Sequence, residues 1–434
     1  MEDDPKKLHI AVFPWLAFGH ISPFFELSKL IAQKGHKISF ISTPRNIERL
    51  PKLPSNLQPL VNFVELSLPH IDQLPEHAEA TMDIPSHIGS YLKKAFDGLQ
   101  QPLVEFLEKS NPDCVIYDFA PYWLPPVLSK FGILSIYFSI FSAIGMSFGV
   151  EFLVGKSNDE ENIISDVYLE QNESGVTDMF RVKKILFGAD FIAARSCMEI
   201  EGKYLELIEN LCKKKVIPVG LLPPSLQIGE EKNDENWDTI LKWLDKHEKR
   251  SVVYVAFGSE VILSDEEFTE IAKGLELSSF PYLWILKNQV KDDWLVENQS
   301  NKKGLIWSNW APQLRILAHE SIGRFLTHCG WSTVIESLQV GCPLIMLPFH
   351  NEQSLVARLM EERMVGVMVQ RNDGKFTRDS VAKALRSVMV EEEGESYRNK
   401  AVEMSKIFGD KELHQKYLDD FVDYMELHIS ATKH

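Results

Sequence analysis

Short apolar runs of strand length alternate along this chain with segments whose apolar residues recur at the helical period. The first run spans residues 8–14, and a helical segment separates it from a second run at residues 37–42. A strand, a helix and a second strand in so short a stretch form a βαβ unit, whose two strands are parallel. Because this alternation recurs, the sequence predicts an α/β fold built on parallel sheets.

Local signals mark the ends of the first helix. Ser22 followed by Pro23 predicts that the helix begins there, because serine caps helices and proline fits their first position. Gly35 predicts its end. The apolar runs predict further strands in this half of the chain at residues 113–118, 133–139, 191–197 and 216–222.

Residues 227–236 divide the chain, because they are acidic and lose the apolar period. We predict a linker there. The two flanking segments, residues 1–226 and 237–412, are predicted to form two doubly wound, Rossmann-like domains that face one another across a ligand-binding cleft. Strands of the second domain are predicted at residues 251–259, 282–287, 304–309, 324–328 and 343–349.

The charge balance limits the classes of partner. The 434 residues include 46 Lys and Arg against 62 Asp and Glu, a formal net charge of −16. Binding to nucleic acid or to an anionic membrane needs clustered basic residues, so neither is predicted. The five cysteines include no C-x-x-C pair, which argues against a disulfide framework or structural zinc and predicts a cytoplasmic protein.

One uncharged stretch, residues 131–150, is long enough to span a bilayer. It contains four serines and three glycines, however. Residues 133–139 within it have the pattern of a buried strand that precedes a loop or helix. No stable membrane span is therefore predicted.

His20 and Asp118 are the candidates for proton transfer. His20 follows the first predicted strand and Asp118 ends another, so both are expected at the same edge of the sheet. A carboxylate beside an imidazole fixes the tautomer of the ring and stabilises its charge after proton uptake. Each residue alone has a simpler explanation, since His20 could cap a helix and Asp118 a turn before Pro121. The pair favours catalysis.

In the second half, polar residues stand at turns between predicted strands and helices. Gly258 and Ser259 follow one strand. His328 and Gly330 separate another strand from a helix, whose backbone N–H groups could hold a phosphate near Ser332. A glycine that only relieves a turn is the simpler alternative.

Three further features offer partners for a sugar nucleotide. Glu336 and the pair Glu352–Gln353 present acceptors for hydroxyl groups, and Trp310 with Gln313 presents a flat face beside an amide. A solvated glutamate and a core tryptophan are the alternatives. No G-x-G-x-x-G follows the first strand, no D-x-D pair is present to hold a diphosphate through a cation, and no G-x-S-x-G occurs. Neither a metal ion nor a nicotinamide cofactor is predicted.

Residues 310–353 resemble the donor-binding signature of plant glycosyltransferases that use UDP-sugars. WAPQ opens this stretch, HCGW stands within it and Glu352–Gln353 close it at the family's spacing. His20 in a G-H-x-x-P context and Asp118 after a strand match the family's catalytic pair. The resemblance implies a GT-B fold, inversion at the transferred sugar, an acceptor site in the first domain and a last helix, residues 413–434, that returns toward that domain.

The resemblance also implies roles for the matching donor-site residues. Trp310 would stack on uracil and Glu336 would accept from the ribose hydroxyls. Ser332 stands where the family usually has asparagine, and Glu352 where aspartate is common. The other implied donor contacts are to the nucleoside (Ala311, Gln313), to the diphosphate (Ser259, His328, Ser332, Thr333, beside Gly330) and to the sugar (Trp331, Glu352, Gln353).

We therefore expect an inverting O-glycosyltransferase that acts as a cytoplasmic monomer, with a UDP-sugar as co-substrate and no other cofactor. The segments PYWLPPVL and PLIMLPFHNEQ most resemble the branch that extends sugars on flavonoids or terpenoids, with UDP-glucose or UDP-rhamnose as donor. A UDP-sugar epimerase and a catalytically silent UDP-sugar binder are the alternatives. The predicted acceptor residues are apolar and aromatic: Trp15, Phe18, Phe119, Tyr122, Trp123 and Phe141.

Overall fold

The chain forms two compact units, each of which holds one parallel sheet. The computed structural model describes residues 7–155, 169–225, 235–258, 260–286, 303–389 and 392–432. The first unit comprises Met1–Leu222 and Lys411–His434, and the second comprises Pro223–Asp410. The predicted domain boundaries stand at 226 and 412, beside unit boundaries at 222 and 410. Most of the predicted linker, residues 227–236, lies outside the described residues.

The described strands of the first unit form a seven-stranded sheet in the order β3-β2-β1-β4-β5-β6-β7. Every neighbouring pair is parallel. The strands are β1 (His9–Phe13), β2 (Lys37–Ser42), β3 (Val61–Glu65), β4 (Cys114–Tyr117), β5 (Leu134–Ser139), β6 (Phe191–Ala194) and β7 (Val216–Pro218).

Helices connect these strands. They are α1 (Phe18–Gln33), α2 (Pro44–Glu48), α3 (Gly89–Asp97), α4 (Gln100–Ser110), α5 (Leu124–Phe131), α6 (Ala143–Leu153), α7 (Asp178–Gly188) and α8 (Met198–Cys212). Short 3₁₀ turns occupy Thr81–Asp83 and Ser86–Ile88.

The second unit repeats the arrangement with six described strands, ordered β10-β9-β8-β11-β12-β13 and parallel throughout. Its strands are β8 (Val252–Ala256), β9 (Tyr282–Ile285), β10 (Gly304–Trp307), β11 (Ile322–Thr327), β12 (Leu344–Met346) and β13 (Gly366–Met368). Its helices are α9 (Glu235–Leu244), α10 (Asp265–Ser278), α11 (Gln313–Leu317), α12 (Trp331–Gln339), α13 (Asn351–Glu362), α14 (Arg378–Met389) and α15 (Glu392–Phe408).

The central strands β1, β4, β5 and β6 of the first sheet are buried on both faces, which explains their nearly continuous apolar sequences. In β1, Ala11 and Phe13 belong to one core cluster, whereas Ile10 and Val12 belong to the other. Successive side chains of a strand point to opposite faces, and helices cover both faces of a parallel sheet. Strands therefore need apolar residues at nearly every position, as in the wholly buried β5.

The last helix, α16 (Lys411–Thr432), packs on the first unit. Leu418, Phe421 and Met425 enter the core cluster that also holds Ile10. An ion pair between Lys34 and Asp419, 2.6 Å long, accompanies this packing. The chain thus crosses between the units twice, near 222 and near 410.

The first helix begins earlier than predicted. α1 starts at Phe18, after Ala17, so Ser22 is not its cap and Pro23 lies inside the helix. Because proline has no backbone N–H group, Pro23 removes one hydrogen bond from the second turn of α1. The burial of Phe24 and Phe25 offsets that loss, because α1 packs these rings against the sheet.

The uncharged stretch at residues 131–150 contains β5 and most of α6, joined by a short loop. The predicted strand within it is confirmed, at Leu134–Ser139. In the part of the chain that the structure describes, no helix is long and apolar enough to cross a membrane.

Candidate active site

In both sheets the strand order reverses beside the first strand of the unit. β1 lies between β2 and β4, and β8 lies between β9 and β11. Loops that leave adjacent strands at such a point run in opposite directions and open a crevice at the carboxyl edge of the sheet, where α/β proteins bind ligands. These loops lead to His20 and Asp118 in the first unit and to Gly258 and His328 in the second.

His20 and Asp118 form a hydrogen-bonded pair. Nδ1 of His20 lies 2.7 Å from Oδ2 of Asp118. Asp118 is fully buried, whereas 14% of the His20 side chain is exposed. His20 is the third residue of α1, and its backbone N–H donates to the carbonyl of Ala17 over 2.8 Å. The structure therefore brings the two predicted catalytic residues together at one strand edge.

Backbone groups hold the Asp118 carboxylate in one orientation. Its Oδ2 atom accepts from the N–H of Trp15 at 3.1 Å, and its Oδ1 atom accepts from the N–H of Phe119 at 2.7 Å. A buried carboxylate needs such donors, because burial removes its water. Since Nδ1 of His20 faces this carboxylate, Nε2 is the ring atom placed to accept a proton from a substrate.

Aromatic rings surround the His20 imidazole. The ring centroids of Phe119 and Phe141 lie 5.5 Å and 5.4 Å from that of His20. The ring centroid of Trp15 lies 6.0 Å from that of Phe119. An apolar wall of this kind excludes water from the base and suits a flat, apolar acceptor.

The predicted acceptor residues do not all lie at this wall. Trp15 and Trp123 are 4% and 6% exposed and belong to the core. Tyr122 is half-buried, with its ring 5.6 Å from Phe180. Phe18 is half-buried and lies beneath the Arg49 guanidinium at 6.0 Å. Phe119 and Phe141 are the two of these residues whose rings contact His20, and the others pack against neighbouring elements.

In the second unit, the ring of His328 lies between two glycines. A Cβ atom at Gly258 would approach Nε2 of His328 to 2.9 Å, and one at Gly330 would approach it to 2.7 Å. Glycine at these positions is therefore required by close packing and not only by a turn. Cys329, between His328 and Gly330, has a φ of 67°. This left-handed conformation is strained for a residue with a Cβ, and such strain concentrates at ligand sites.

The first turn of α12 begins directly after this ring. Trp331, Ser332 and Thr333 open the helix, and Gly330 precedes it without a side-chain cap. The N–H groups and dipole of a first turn favour an anion. The predicted phosphate contacts therefore converge on one helix end, although Thr333 is itself buried. Ser259 lies outside the described residues.

The predicted nucleoside contacts form a second cluster. Nε2 of Gln313 donates to Oε2 of Glu336 over 2.9 Å, and the hydroxyl of Tyr254 donates to Oε1 of Gln313 over 3.5 Å. Ala311 is half-buried. Trp310 is 62% exposed, so its indole face is open to a flat ring.

Two predicted sugar contacts have structural roles in this fold. Trp331 is 5% exposed, and its ring packs 6.2 Å from Phe408. The Trp331 side chain is therefore largely withdrawn from the surface. Oε1 of Gln353 accepts from the N–H groups of Phe349 and His350 at 2.9 Å and 3.1 Å, which leaves its amide NH₂ group for a ligand. Glu352 is half-buried in the first turn of α13.

Comparison with known proteins identifies the family. Residues 197–431 match the sequence model of the family described as "UDP-glucoronosyl and UDP-glucosyl transferase". This match covers more than half of the chain. The protein belongs to the plant family 1 UDP-glycosyltransferases.

Individual relatives extend the match over nearly the whole glycosyltransferase. This chain is 44% identical to UDP-glycosyltransferase 91D2 of Stevia rebaudiana, over 99% of this chain and 97% of the relative. It is 41% identical to soyasaponin III rhamnosyltransferase of Glycine max, over 98% and 97%. Among solved structures, Arabidopsis thaliana UGT89C1 complexed with UDP-L-rhamnose superposes with a TM-score of 0.78 at 25% identity, over 97% and 99%. The two parallel-sheet units are thus the domains of a GT-B glycosyltransferase.

One residue of the nucleoside cluster was missed by sequence reasoning. Tyr254 stands in the middle of β8, whose other residues are aliphatic, and it is buried. Burial and the charge of Glu336 raise the pKa of its hydroxyl, so the hydroxyl stays protonated and can donate to Gln313. A tyrosine within an aliphatic strand was the available signal, because a buried hydroxyl needs a partner.

The described residues include no group of three or more His, Cys, Asp or Glu side chains placed to hold a metal ion.

The pKa of His328 gives the glycosyltransferase a pH-dependent stability. Burial, with a smaller effect of His350, lowers this pKa from 6.5 to about 4. Between these values the unfolded chain binds a proton that the folded ring does not, so the free energy of unfolding falls as the pH drops from 6.5 toward 4. We expect His328→Gln to reduce this dependence, which thermal unfolding measured from pH 7 to pH 4 would show.

His9 provides the matched control, because burial also lowers its pKa and it lies in the first unit. By the same argument, His9→Gln should reduce the pH dependence of unfolding of the first unit and leave that of the second unit unchanged. Equal pH dependence of the unfolding temperature in the wild type and in His328→Gln would contradict the assignment to His328.

Proposed function

We propose that this UDP-glycosyltransferase is an inverting O-glycosyltransferase that adds glucose or rhamnose to a hydroxyl of a small, apolar acceptor that already bears a sugar. The observation that carries the reaction type is the His20–Asp118 pair, 2.7 Å long, at the carboxyl edge of the first sheet. Imidazole held by a buried carboxylate is the arrangement that activates a hydroxyl group.

The proposed step begins with the acceptor hydroxyl. Nε2 of His20 removes its proton, and the oxygen forms a bond to the anomeric carbon of the donor sugar from the face opposite to UDP. The bond between that carbon and the phosphate oxygen breaks, and UDP departs with the electron pair. Attack from the opposite face inverts the configuration of the carbon.

Two sets of groups stabilise the charges that develop. The Asp118 carboxylate offsets the positive charge of the protonated His20 ring. The N–H groups of the first turn of α12, with Ser332 and Thr333, offset the negative charge on the departing diphosphate. The proposed donor site is completed by uracil stacked on the exposed Trp310, by ribose hydroxyls at Glu336 and by the sugar at Glu352 and the Gln353 amide.

Relatives support the choice of donors and acceptors. Soyasaponin III rhamnosyltransferase is by name a transferase of rhamnose to a saponin, and it is 41% identical to this chain. Mogroside IIIx synthase of Siraitia grosvenorii is 35% identical over 93% of this chain and 89% of the relative. The aromatic rings of Phe119 and Phe141 beside His20 suit a flat aglycone of either the flavonoid or the terpenoid class.

A donor and acceptor panel tests the proposal. The protein is incubated with UDP-glucose or UDP-rhamnose and with soyasaponin III, quercetin, quercetin 3-O-glucoside or a triterpene monoglucoside, and products are read by mass spectrometry. We expect one sugar to be added to the glycosides faster than to quercetin. Nuclear magnetic resonance of the product from an α-linked UDP-glucose should show a β-glucoside.

Each component of the proposal has its own contrary result. Preference for quercetin would contradict the glycoside assignment, and a retained α-configuration would contradict inversion. Each donor is also incubated without acceptor, because a change in the nucleotide sugar alone would identify an epimerase. Binding of UDP without any transfer would identify a silent binder.

A further inference from the structure

Arg181 is a fully buried arginine of α7 that plays no part in the proposed reaction. Its Nη1 atom donates to the carbonyl of Ala120 and to Oδ1 of Asp97, each over 2.8 Å. Its Nη2 atom donates to Oδ2 of Asp97 over 2.5 Å. The guanidinium also lies over the ring of Tyr122, 4.9 Å from its centroid.

These contacts reach the loop that carries Asp118. Ala120 and Tyr122 follow Asp118 by two and four residues, between β4 and α5. Hydrogen bonds to other elements hold this loop on both sides of Phe119. Asp118 binds the backbone of Trp15 at the strand end, and Arg181 binds the carbonyl of Ala120 and covers Tyr122. Phe119, which contacts His20, lies between the two points.

A buried ion pair such as Arg181–Asp97 is weak evidence for a role in stability. Burial raises the pKa of the Asp97 carboxyl even though the guanidinium of Arg181 lies beside it. Buried ion pairs are often no more stable than apolar residues of similar volume. What such a pair does provide is a fixed geometry for the groups bonded to it.

A second ion pair joins the same two helices. Nζ of Lys93, on α3, lies 2.5 Å from Oδ2 of Asp178, on α7. Asp97 and Arg181 occupy the same helices, four and three residues further along. Variants of the two pairs therefore distinguish an effect on the packing of α3 against α7 from an effect on the support of the Asp118 loop.

We propose that Arg181 is a positioning residue for the catalytic pair: through the carbonyl of Ala120 it fixes the loop that holds Asp118 against His20 and Phe119 against the acceptor. This inference rests on the proposed function, because it assigns Arg181 a role in proton transfer by His20. Displacement of a catalytic group by about 1 Å can reduce turnover by about two orders of magnitude.

The test compares Arg181→Lys with Lys93→Met in the full-length protein, using the glycoside and UDP-sugar that react fastest in the panel above. A lysine at 181 can reach Asp97 or the Ala120 carbonyl but cannot form the fork that binds both. We expect Arg181→Lys to lower kcat by about tenfold to a hundredfold, with the KM for the UDP-sugar unchanged. Lys93→Met should retain kcat within about twofold, because the Lys93–Asp178 pair joins α3 to α7 and does not include the Ala120 carbonyl.

Three results would overturn the proposal. One is an Arg181→Lys enzyme with wild-type kcat. Another is an equal loss of kcat in Lys93→Met, which would attribute the effect to helix packing. The third is a loss of folded protein in Arg181→Lys with wild-type kcat per folded molecule, where the folded fraction is counted by thermal unfolding and UDP binding.

Asp97→Asn is the second variant, in case Arg181→Lys does not fold. Asparagine keeps the shape of the side chain and weakens the paired hydrogen bonds from Arg181. We therefore expect Asp97→Asn to lower kcat by a smaller factor than Arg181→Lys does. Wild-type kcat in Asp97→Asn would also contradict the proposal. His20→Ala, measured in parallel, distinguishes failure of the proposed function from failure of the Arg181 proposal. An active His20→Ala enzyme contradicts the proposed function. An inactive His20→Ala enzyme together with an unaffected Arg181→Lys enzyme contradicts the Arg181 proposal alone.

Discussion

Replacement of His20 by alanine is expected to lower kcat by about 10²- to 10⁴-fold, the usual range for a general base. Nδ1 of His20 is held 2.7 Å from Asp118, so removal of the ring removes both the proton acceptor and the partner of the carboxylate. Affinity for UDP should not change, because His20 lies in the first unit whereas the predicted UDP contacts lie in the second. Steady-state kinetics and calorimetric titration with UDP would measure the two quantities.

His70 and Asp72 offer a matched control for this change. They form a histidine–aspartate contact of 3.4 Å in the same unit, but their side chains are 80% and 98% exposed. His70→Ala should therefore retain wild-type kcat and stability. A His20→Ala enzyme with turnover close to that of the wild type would exclude His20 as the base.

Replacement of Asp118 by asparagine is the second change with a large expected effect, a loss in kcat of about 10²- to 10⁴-fold. Asp118 accepts from His20 and Trp15 on Oδ2 and from Phe119 on Oδ1. Asparagine has one oxygen and one NH₂ group at these two positions. In either orientation the NH₂ group faces an N–H donor, and that donor loses its acceptor. The carboxylate charge that would stabilise the protonated His20 ring is lost as well.

Kinetics of the double variant would show whether the two residues act as a unit. His20→Ala combined with Asp118→Asn should be no slower than His20→Ala alone, because groups that act together are not additive. Thermal unfolding must accompany the kinetics, since a buried N–H group without an acceptor costs about 1–3 kcal/mol. A multiplicative loss in a fully folded double variant would show that Asp118 acts independently of His20.

The central strands were predictable because they are continuous apolar runs. The second strand was predicted at residues 37–42 and is observed at Lys37–Ser42. Two edge strands were not predicted. Among the described strands, β3 has β2 as its one neighbour, and it mixes Asn62 and Glu65 with its apolar residues. β13 is three residues long. An edge strand is covered less completely than a central one, so its sequence carries a weaker apolar signal.

For the site, the sequence was informative where chemistry demands particular residue types, and less so where packing decides. His20, Asp118 and the residues from Trp310 to Gln353 could be named in advance. The same reasoning placed Trp15 and Trp123 at the acceptor, yet both are core residues. An aromatic residue near a strand end can face a ligand or the core, and the local pattern is the same in both cases.

The sequence by itself determined the βα alternation, the two parallel sheets, the family and the chemical identities of the candidate groups. These follow from apolar periodicity and from residues that stand at fixed spacing. Only the tertiary structure showed that His20 meets Asp118 across 98 residues, that His328 fits between Gly258 and Gly330, and that Arg181 reaches the loop after Asp118. Such contacts depend on which strands lie side by side and on how helices pack over them. No local stretch of the chain determines either of these.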